Sequence, residues 1–282
     1  MKFKPTLFLL ALGSLMAATA HAEISYQHIR NATAKIHYGN ATFLVDPYLA
    51  PKGSYAGFEG TVNSQKRNPL INMNKSVSDV LKGVDAVIVT HTHADHWDEY
   101  AQKVIPKTLP IFVQNAGDAK IIREQGFKDV RVVGKETEFK QVKLSKTGGQ
   151  HGTDKMYSVP QVAELLGDAM GVVMQTKGEK TLYIVGDTIW NQEVDFALKR
   201  YKPEVIVMNT GYAQLEGDPN SIIMGKADVA KAHKVAPKAN IITVHMDAVN
   251  HAAVTSNDMR RFVKENNLQR VTVPRESEVL KY

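Results

Sequence analysis

The apolar run Val84-Asp85-Ala86-Val87-Ile88-Val89 and the His91-Thr92-His93-Ala94-Asp95-His96 segment just after it constrain this 282-residue chain more than any other stretch. The run reads as a strand buried on both faces. Three imidazoles and a carboxylate therefore stand where a rigid strand ends, a common place for a functional site. Neutral imidazole and carboxylate are the usual ligands of zinc and its neighbours. His91 and His93 are two residues apart and point the same way on extended chain. Asp95 and His96 fall past the bend and can turn toward a second point, so the spacing suits two adjacent cations better than one. The plain alternative is a solvated, His-rich turn. With 10 His and 29 acids in the chain, chance would place such a cluster about 0.001 times.

With 43% hydrophobic and 23% charged residues, the composition is that of a globular protein with one large or two small domains. The amino terminus differs. Lys2 and Lys4 precede a largely apolar stretch from Thr6 to Ala18, and Ala20-His21-Ala22 is an A-x-A cleavage pattern. The apolar stretch is too short for a membrane span. The reading is a cleavable signal peptide over 1–22 and a single domain over 23–282, periplasmic or secreted, with no stable membrane association after cleavage. The chain has no cysteine, so export rests on the signal alone. The formal charge of +6 falls to +4 once Lys2 and Lys4 are removed. Basic residues are spread rather than clustered with aromatics, which argues against nucleic acid as a partner. A small molecule, with anionic ones slightly favoured by the net charge, is the expected substrate.

Along the chain, segments 23–30, 34–38 and 42–45 read as an antiparallel opening that ends at Asp46-Pro47. Residues 50–76 form a long polar loop of the kind that often covers a site. Helices are expected over 77–82, from Trp97 onward, and over 119–125, 194–201, 227–235 and 257–266. Further strands are expected over 110–113, 130–133, 139–144, 171–175, 181–185, 205–209 and 241–244, with 271–273 as the last. Asp95 also stands where a helix N-cap or first-turn acid would stand. Strands grouped early and alternating with helices later favour two packed sheets with helices outside.

Three further polar residues close or follow strands: His151 in Gly148-Gly149-Gln150-His151-Gly152, Asp187 in Val185-Gly186-Asp187-Thr188, and His245 after Val244. Each alone reads as a loop or turn residue. With the first cluster they make seven protein ligands, enough for two cations that also share water. Asp46 reads either as a strand-end turn acid or as an acid that orients ligands.

These motifs, with Leu44-Val45-Asp46-Pro47, resemble the metallo-β-lactamase superfamily and its H-x-H-x-D-H signature. They also resemble its branch of ascorbate-6-phosphate lactonase-like hydrolases. The resemblance spans nearly the whole mature chain. It implies an α/β fold, a four-layer αββα sandwich of two mixed sheets flanked by helices. It implies two divalent cations, zinc first, with manganese or iron(II) as alternatives. His91, His93 and His151 would hold one cation, Asp95, His96 and His245 the other, and Asp187 would bridge them. Lactamases of this kind typically use a cysteine or lack the bridging acid, so antibiotic hydrolysis is not the expected activity.

The expected function is hydrolysis of a small ester, lactone or phosphodiester by a hydroxide held between two cations. Asp95 would orient that water and take its proton. His251, in Asp247-Ala248-Val249-Asn250-His251, is a candidate proton donor or a surface loop residue. Tyr212 is a candidate oxyanion binder or a packed aromatic, Trp190 a candidate pocket residue, and Trp97 a core residue. An iron-dependent redox enzyme on the same fold and a non-catalytic metal- or ligand-binding protein are the competing readings.

Overall fold

Every residue of the strand Ala86–Val89 is buried, and its side chains divide between two cores. Ala86 and Ile88 join a core made with inward residues of a second sheet, including Val172, Ile184, Val207 and Ile242. Val87 and Val89 join a different core with Trp97, Ala101 and Ile122. A strand alternates faces with a period of two. Its sheet therefore lies between a second sheet and a layer of helices. This computed structural model describes residues 23–135 and 137–282. The segment expected to be a signal peptide, 1–22, lies outside the described residues.

The first sheet contains β1 (Ser25–Arg30), β2 (Thr33–Tyr38), β3 (Ala41–Val45), β4 (Ala86–Val89), β5 (Ile111–Val113) and β6 (Val130–Val132). The second contains β7 (Thr137–Phe139), β8 (Val142–Thr147), β9 (Gly171–Gln175), β10 (Leu182–Ile184), β11 (Val205–Asn209), β12 (Asn240–Val244) and β13 (Val271–Thr272). A final strand, β14 (Val279–Lys281), returns to the first sheet beside β1. Both sheets have seven strands, in the orders β14-β1-β2-β3-β4-β5-β6 and β13-β12-β11-β10-β9-β8-β7. From β14 and from β7, each sheet runs through three antiparallel pairings and then three parallel ones. The helices α1 (Val77–Leu81), α2 (Glu99–Val104) and α3 (Ala116–Glu124) cover the first sheet. The helices α6 (Gln192–Tyr201), α7 (Lys226–Val235) and α8 (Ser256–Glu265) cover the second. Two short helices, α4 (Asp154–Tyr157) and α5 (Pro160–Leu166), lie between β8 and β9. The result is the expected αββα sandwich.

Four local expectations are corrected. The segment 139–144 is a hairpin, not one strand: Phe139 pairs with Val142 across Lys140 and Gln141, which take φ +48° and +68°. A two-residue turn of that type normally announces itself as Asn-Gly, and Lys-Gln does not. The strand over 271–273 is not the last, because β14 follows it. Segment 152–170, read without any element, holds α4 and α5. Asp95 does not cap the helix after it; Asp98 does, accepting from Ala101 N, which leaves the Asp95 carboxylate for the site.

Candidate metal centre and active site

The strands β1, β3, β8, β10 and β12 are aligned within their sheets so that their carboxyl ends deliver residues to one place. Open sheets bind ligands at that edge. Asn31, Asp46 and His245 leave β1, β3 and β12 with φ of +55°, +44° and +63°. Such left-handed positions cost non-glycine residues about 1–3 kcal/mol and persist only where surroundings hold them. Here they are held: His245 N donates to Asn31 O at 3.0 Å, and Asp46 N donates to Ile88 O at 2.9 Å. Gly186, at φ +78°, makes the turn before Asp187, where an added Cβ would collide with Met170 O.

All seven ligands expected from the sequence meet in one cluster. His91 Nε2 and His93 Nδ1 are 3.0 Å apart, and with His151 they form one close group. Asp95, His96 and His245 form another: His245 Nε2 lies 3.1 Å from Asp95 Oδ2 and 3.0 Å from His96 Nε2. Asp187 Oδ2 stands between them. It is 4.0 Å from His91 Nε2, 3.5 Å from His151 Nε2, 3.1 Å from His96 Nε2 and 3.5 Å from His245 Nε2.

Residues outside the cluster set these orientations. Asp46 accepts from Thr90 N at 2.7 Å and from Thr90 Oγ1 at 2.8 Å, and it takes the His96 Nδ1–H at 2.9 Å. Asp46 is thus an orienting acid rather than a turn acid. With Nδ1 protonated, His96 presents a lone pair on Nε2 to the cluster. His151 Nδ1 faces Ile222 O at 2.9 Å, and His93 Nε2 faces Leu165 O at 3.1 Å. Asn209, at the end of β11, donates to Asp187 Oδ1 at 2.6 Å and so turns Oδ2 to the cluster. Asn31 Nδ2 reaches Asp95 Oδ2 at 3.2 Å. Sequence reading missed Thr90, Asn209 and Asn31. Their one signal is position at a strand end, and the type itself says little.

Electrostatics match a cation site. Burial pushes the Asp95 and Asp187 carboxyls up, but the neighbouring imidazoles overcome it and hold both well below the usual carboxylate range. Burial, reinforced by adjacent imidazoles, drives His91 well below its ordinary value and His93 down to about 4. Those low-pKa imidazoles and ionised carboxylates are the deprotonated forms that metal binding needs. Burial lowers His96 and His245 too, but the charge of Asp187 and Asp95 overcomes it and holds both above their ordinary value. A cation there would displace a proton. The donor set, with inward lone pairs fixed from outside, fits divalent cations.

A cavity of about 330 Å³ opens beside the cluster. Beside the cluster residues, its walls come from Phe58, Glu59 and Thr61 of the 50–76 loop, from Thr92, from Leu165 and Leu166 of α5, and from Leu215 and Ile222 of the loop after β11. Among the described residues, no Lys or Arg lines it. His251 does, beside His93, Asp95 and Asp187. It is buried, its ring meets Phe58 edge-on at 5.1 Å, and its Nδ1 has no partner among the described residues. Trp97 is core, bonded to Gln125. Tyr212 packs on the outer core of the second sheet and Trp190 bonds Asp195. Neither lines the cavity.

The family model for the beta-lactamase superfamily domain matches residues 41–246. The UPF0173 protein YddR of Bacillus subtilis strain 168 is 43% identical over 251 residues, covering 89% of this chain and 96% of its own. The crystal structure of a possible metal-dependent hydrolase from Veillonella parvula DSM 2008 is 52% identical, with a TM-score of 0.91 over 92% of this chain and 99% of its own. An isothiocyanate hydrolase from Delia radicum gut bacteria is 41% identical, with a TM-score of 0.88 over 92% and 99%.

Proposed function

The chain belongs to the metallo-β-lactamase superfamily and is a metal-dependent hydrolase, and from that premise we propose that it hydrolyses a small, uncharged electrophile (an ester, a lactone or an isothiocyanate) at a pair of divalent cations. The observation that carries this reading is a seven-donor cluster opening into a small, mainly apolar cavity with no Lys or Arg among the described residues that line it. Beyond the cations themselves, such a cavity offers a phosphodiester no Arg or Lys of the kind that enzymes usually add to hold its charge. The isothiocyanate hydrolase, 41% identical, supports a neutral electrophile of this size.

His91, His93 and His151 would hold one cation, Asp95, His96 and His245 the other, with Asp187 between. Zinc suits these donors, and manganese or iron(II) are chemically admissible. When bound, such cations supply Lewis acidity and water of lowered pKa. The chain's own residues do the rest. Phe58, Leu165, Leu166, Leu215 and Ile222 hold the apolar part of the substrate and exclude water, which strengthens every polar interaction inside. Asp95, kept ionised, accepts the proton of the attacking water. Burial keeps His251 neutral, at about 4, so its N–H can donate a hydrogen bond to the atom that gathers charge. For an isothiocyanate, the water oxygen bonds to the central carbon as the C=N π bond opens; one proton goes to nitrogen and the other to Asp95. That second proton then passes to nitrogen, the C–N bond of the thiocarbamate breaks, and an amine and carbonyl sulfide leave.

Elemental analysis of the purified chain and of Asp187→Ala, with a substrate panel, tests the reading. Expected are about two cations per chain, fewer in the variant. Phenethyl isothiocyanate or a short-chain aryl ester should turn over faster than a bis-aryl phosphate. His93→Ala should lose turnover with its circular dichroism unchanged. A chain that binds no cation, or turnover that survives His93→Ala, sinks the proposal.

A further inference from the structure

The outer nitrogens of the five cluster imidazoles are not supported alike. Those of His91, His93, His96 and His151 face Thr90 Oγ1, Leu165 O, Asp46 Oδ2 and Ile222 O. His245 is fully buried and its Nε2 is committed to the cluster. Its Nδ1 has no partner among the described residues. A ligating imidazole ordinarily gives its second N–H to a carboxylate, a carbonyl or water, which fixes its tautomer and raises its basicity.

His245 also borders a second cavity, of about 480 Å³, which shares no lining residue with the first. Three other buried polar atoms without partners among the described residues belong to its walls: His28 Nδ1, Asn31 Oδ1 and Glu276 Oε1. Arg260 and Arg275 are its cations. The Arg260 guanidinium donates to Ser256 Oγ, Asn257 Oδ1 and Pro274 O. All three are uncharged, and among the described residues no carboxylate forms an ion pair with it. Two acids face the same space. Asp247 Oδ1 is taken by Ser256 N at 3.0 Å, and burial pushes the Glu276 carboxyl up. The volume suits a molecule of a few to a dozen heavy atoms.

We propose that this cavity binds a small carboxylate, one of whose oxygens accepts the Nδ1–H of His245 while Arg260 and Arg275 meet its charge. The ligand would do for His245 what Asp46 does for His96. Its role is regulatory: it completes the support of the Asp95, His96 and His245 group and tightens cation binding there. That consequence rests on reading His245 as a metal ligand, but the cavity's binding does not.

The test is calorimetric titration of succinate and of acetate into the metal-free and the zinc-loaded chain, with ionic strength held by chloride. Nitrogen-15 NMR of the His245 imidazole is followed alongside. One saturable site in both forms is expected, with a perturbed His245 Nδ1 resonance. Affinity should fall at least about tenfold in Arg260→Gln, the scale of a lost charge-assisted hydrogen bond. Arg275→Gln, altered at an exposed side chain, serves if Arg260→Gln does not fold. Chelator competition should show zinc bound up to about tenfold tighter at saturating succinate, and by linkage succinate tighter by the same factor in the zinc form. No saturable binding to the metal-free chain, or unchanged affinity in the arginine variants, overturns the site. Binding without any effect on zinc affinity overturns the regulatory role. Failure of zinc to bind counts against the proposed function instead, and the metal-free titration still reads the cavity.

Discussion

Asp46 stands behind His96 in the cluster, and its chemistry shows how a single atom exchange can turn an imidazole the wrong way. Its two oxygens accept from Thr90 N, Thr90 Oγ1 and His96 Nδ1. Asp46→Asn keeps the shape but can turn an amide N–H toward His96 Nδ1. His96 then carries its proton on Nε2 and loses the lone pair aimed at the cluster. We expect metal affinity to fall by about 10–100-fold, the usual scale for lost support of a ligand, with little change in far-ultraviolet circular dichroism. Chelator competition measures the first, and unchanged affinity would deny Asp46 this role. The seven cluster residues were legible because imidazole and carboxylate at strand ends are informative types. Asn209 and Asn31 act just as directly on Asp187 and Asp95, but an asparagine at a strand end looks like any turn residue.

Among elements, the loop over 50–76 is the one whose order matters most to the cavity. Backbone bonds to Gln214, Glu216 and Ala248 help to hold it, and Asn250 makes the densest set of side-chain bonds to it. Asn250 accepts from Phe58 N at 3.0 Å and from Asn68 Nδ2 at 2.7 Å. It donates to Thr61 Oγ1 at 2.8 Å, to Val62 O at 2.9 Å and, through its backbone, to Asn68 Oδ1 at 2.9 Å. It immediately precedes His251, so the same contacts fix the cavity wall and the imidazole opposite the cluster. Asn250→Ala should cost about 2–4 kcal/mol, since several buried partners lose their bonds together. It should also raise KM and open the loop to limited proteolysis. Urea unfolding and protease mapping check these, and a wild-type cleavage pattern would mean the loop is held by other contacts. The loop's length and polarity marked it as a possible cover. Its attachment at Asn250, nearly two hundred positions away in the chain, left no local trace.

At the scale of the whole molecule, acid should loosen the fold partly through His28. Burial first, and the charge of Arg260 second, lower its pKa from 6.5 to about 4. The folded state therefore resists a proton that the unfolded state accepts. Above pH 6.5 neither state binds it and His28 has no effect. As pH falls from 6.5 to 4 the unfolded state gains a proton first, and stability drops by up to about 3 kcal/mol in total. Urea unfolding of the wild-type chain and of His28→Gln at pH 7 and pH 4.5 isolates this term. The loss on acidification should be smaller in the variant, and equal losses would assign the acid sensitivity to other groups.

Sequence alone determined the layer order and the donor set. Both follow from local chemistry: continuous apolar runs make strands buried on both faces, and imidazoles and carboxylates at strand ends, with His91 and His93 at spacing two pointing one way, are metal-ligand types. Only the tertiary structure decided which nitrogen of each imidazole faces inward, that Asp98 rather than Asp95 caps a helix, and that the cavity wall is mainly apolar, with no Lys or Arg among the described residues that line it. It also decided that β14 closes the edge of β1, although its three residues carry too little pattern to be seen. These depend on contacts between segments far apart in the chain, where burial and hydrogen-bond geometry decide, and no short stretch of sequence contains both partners.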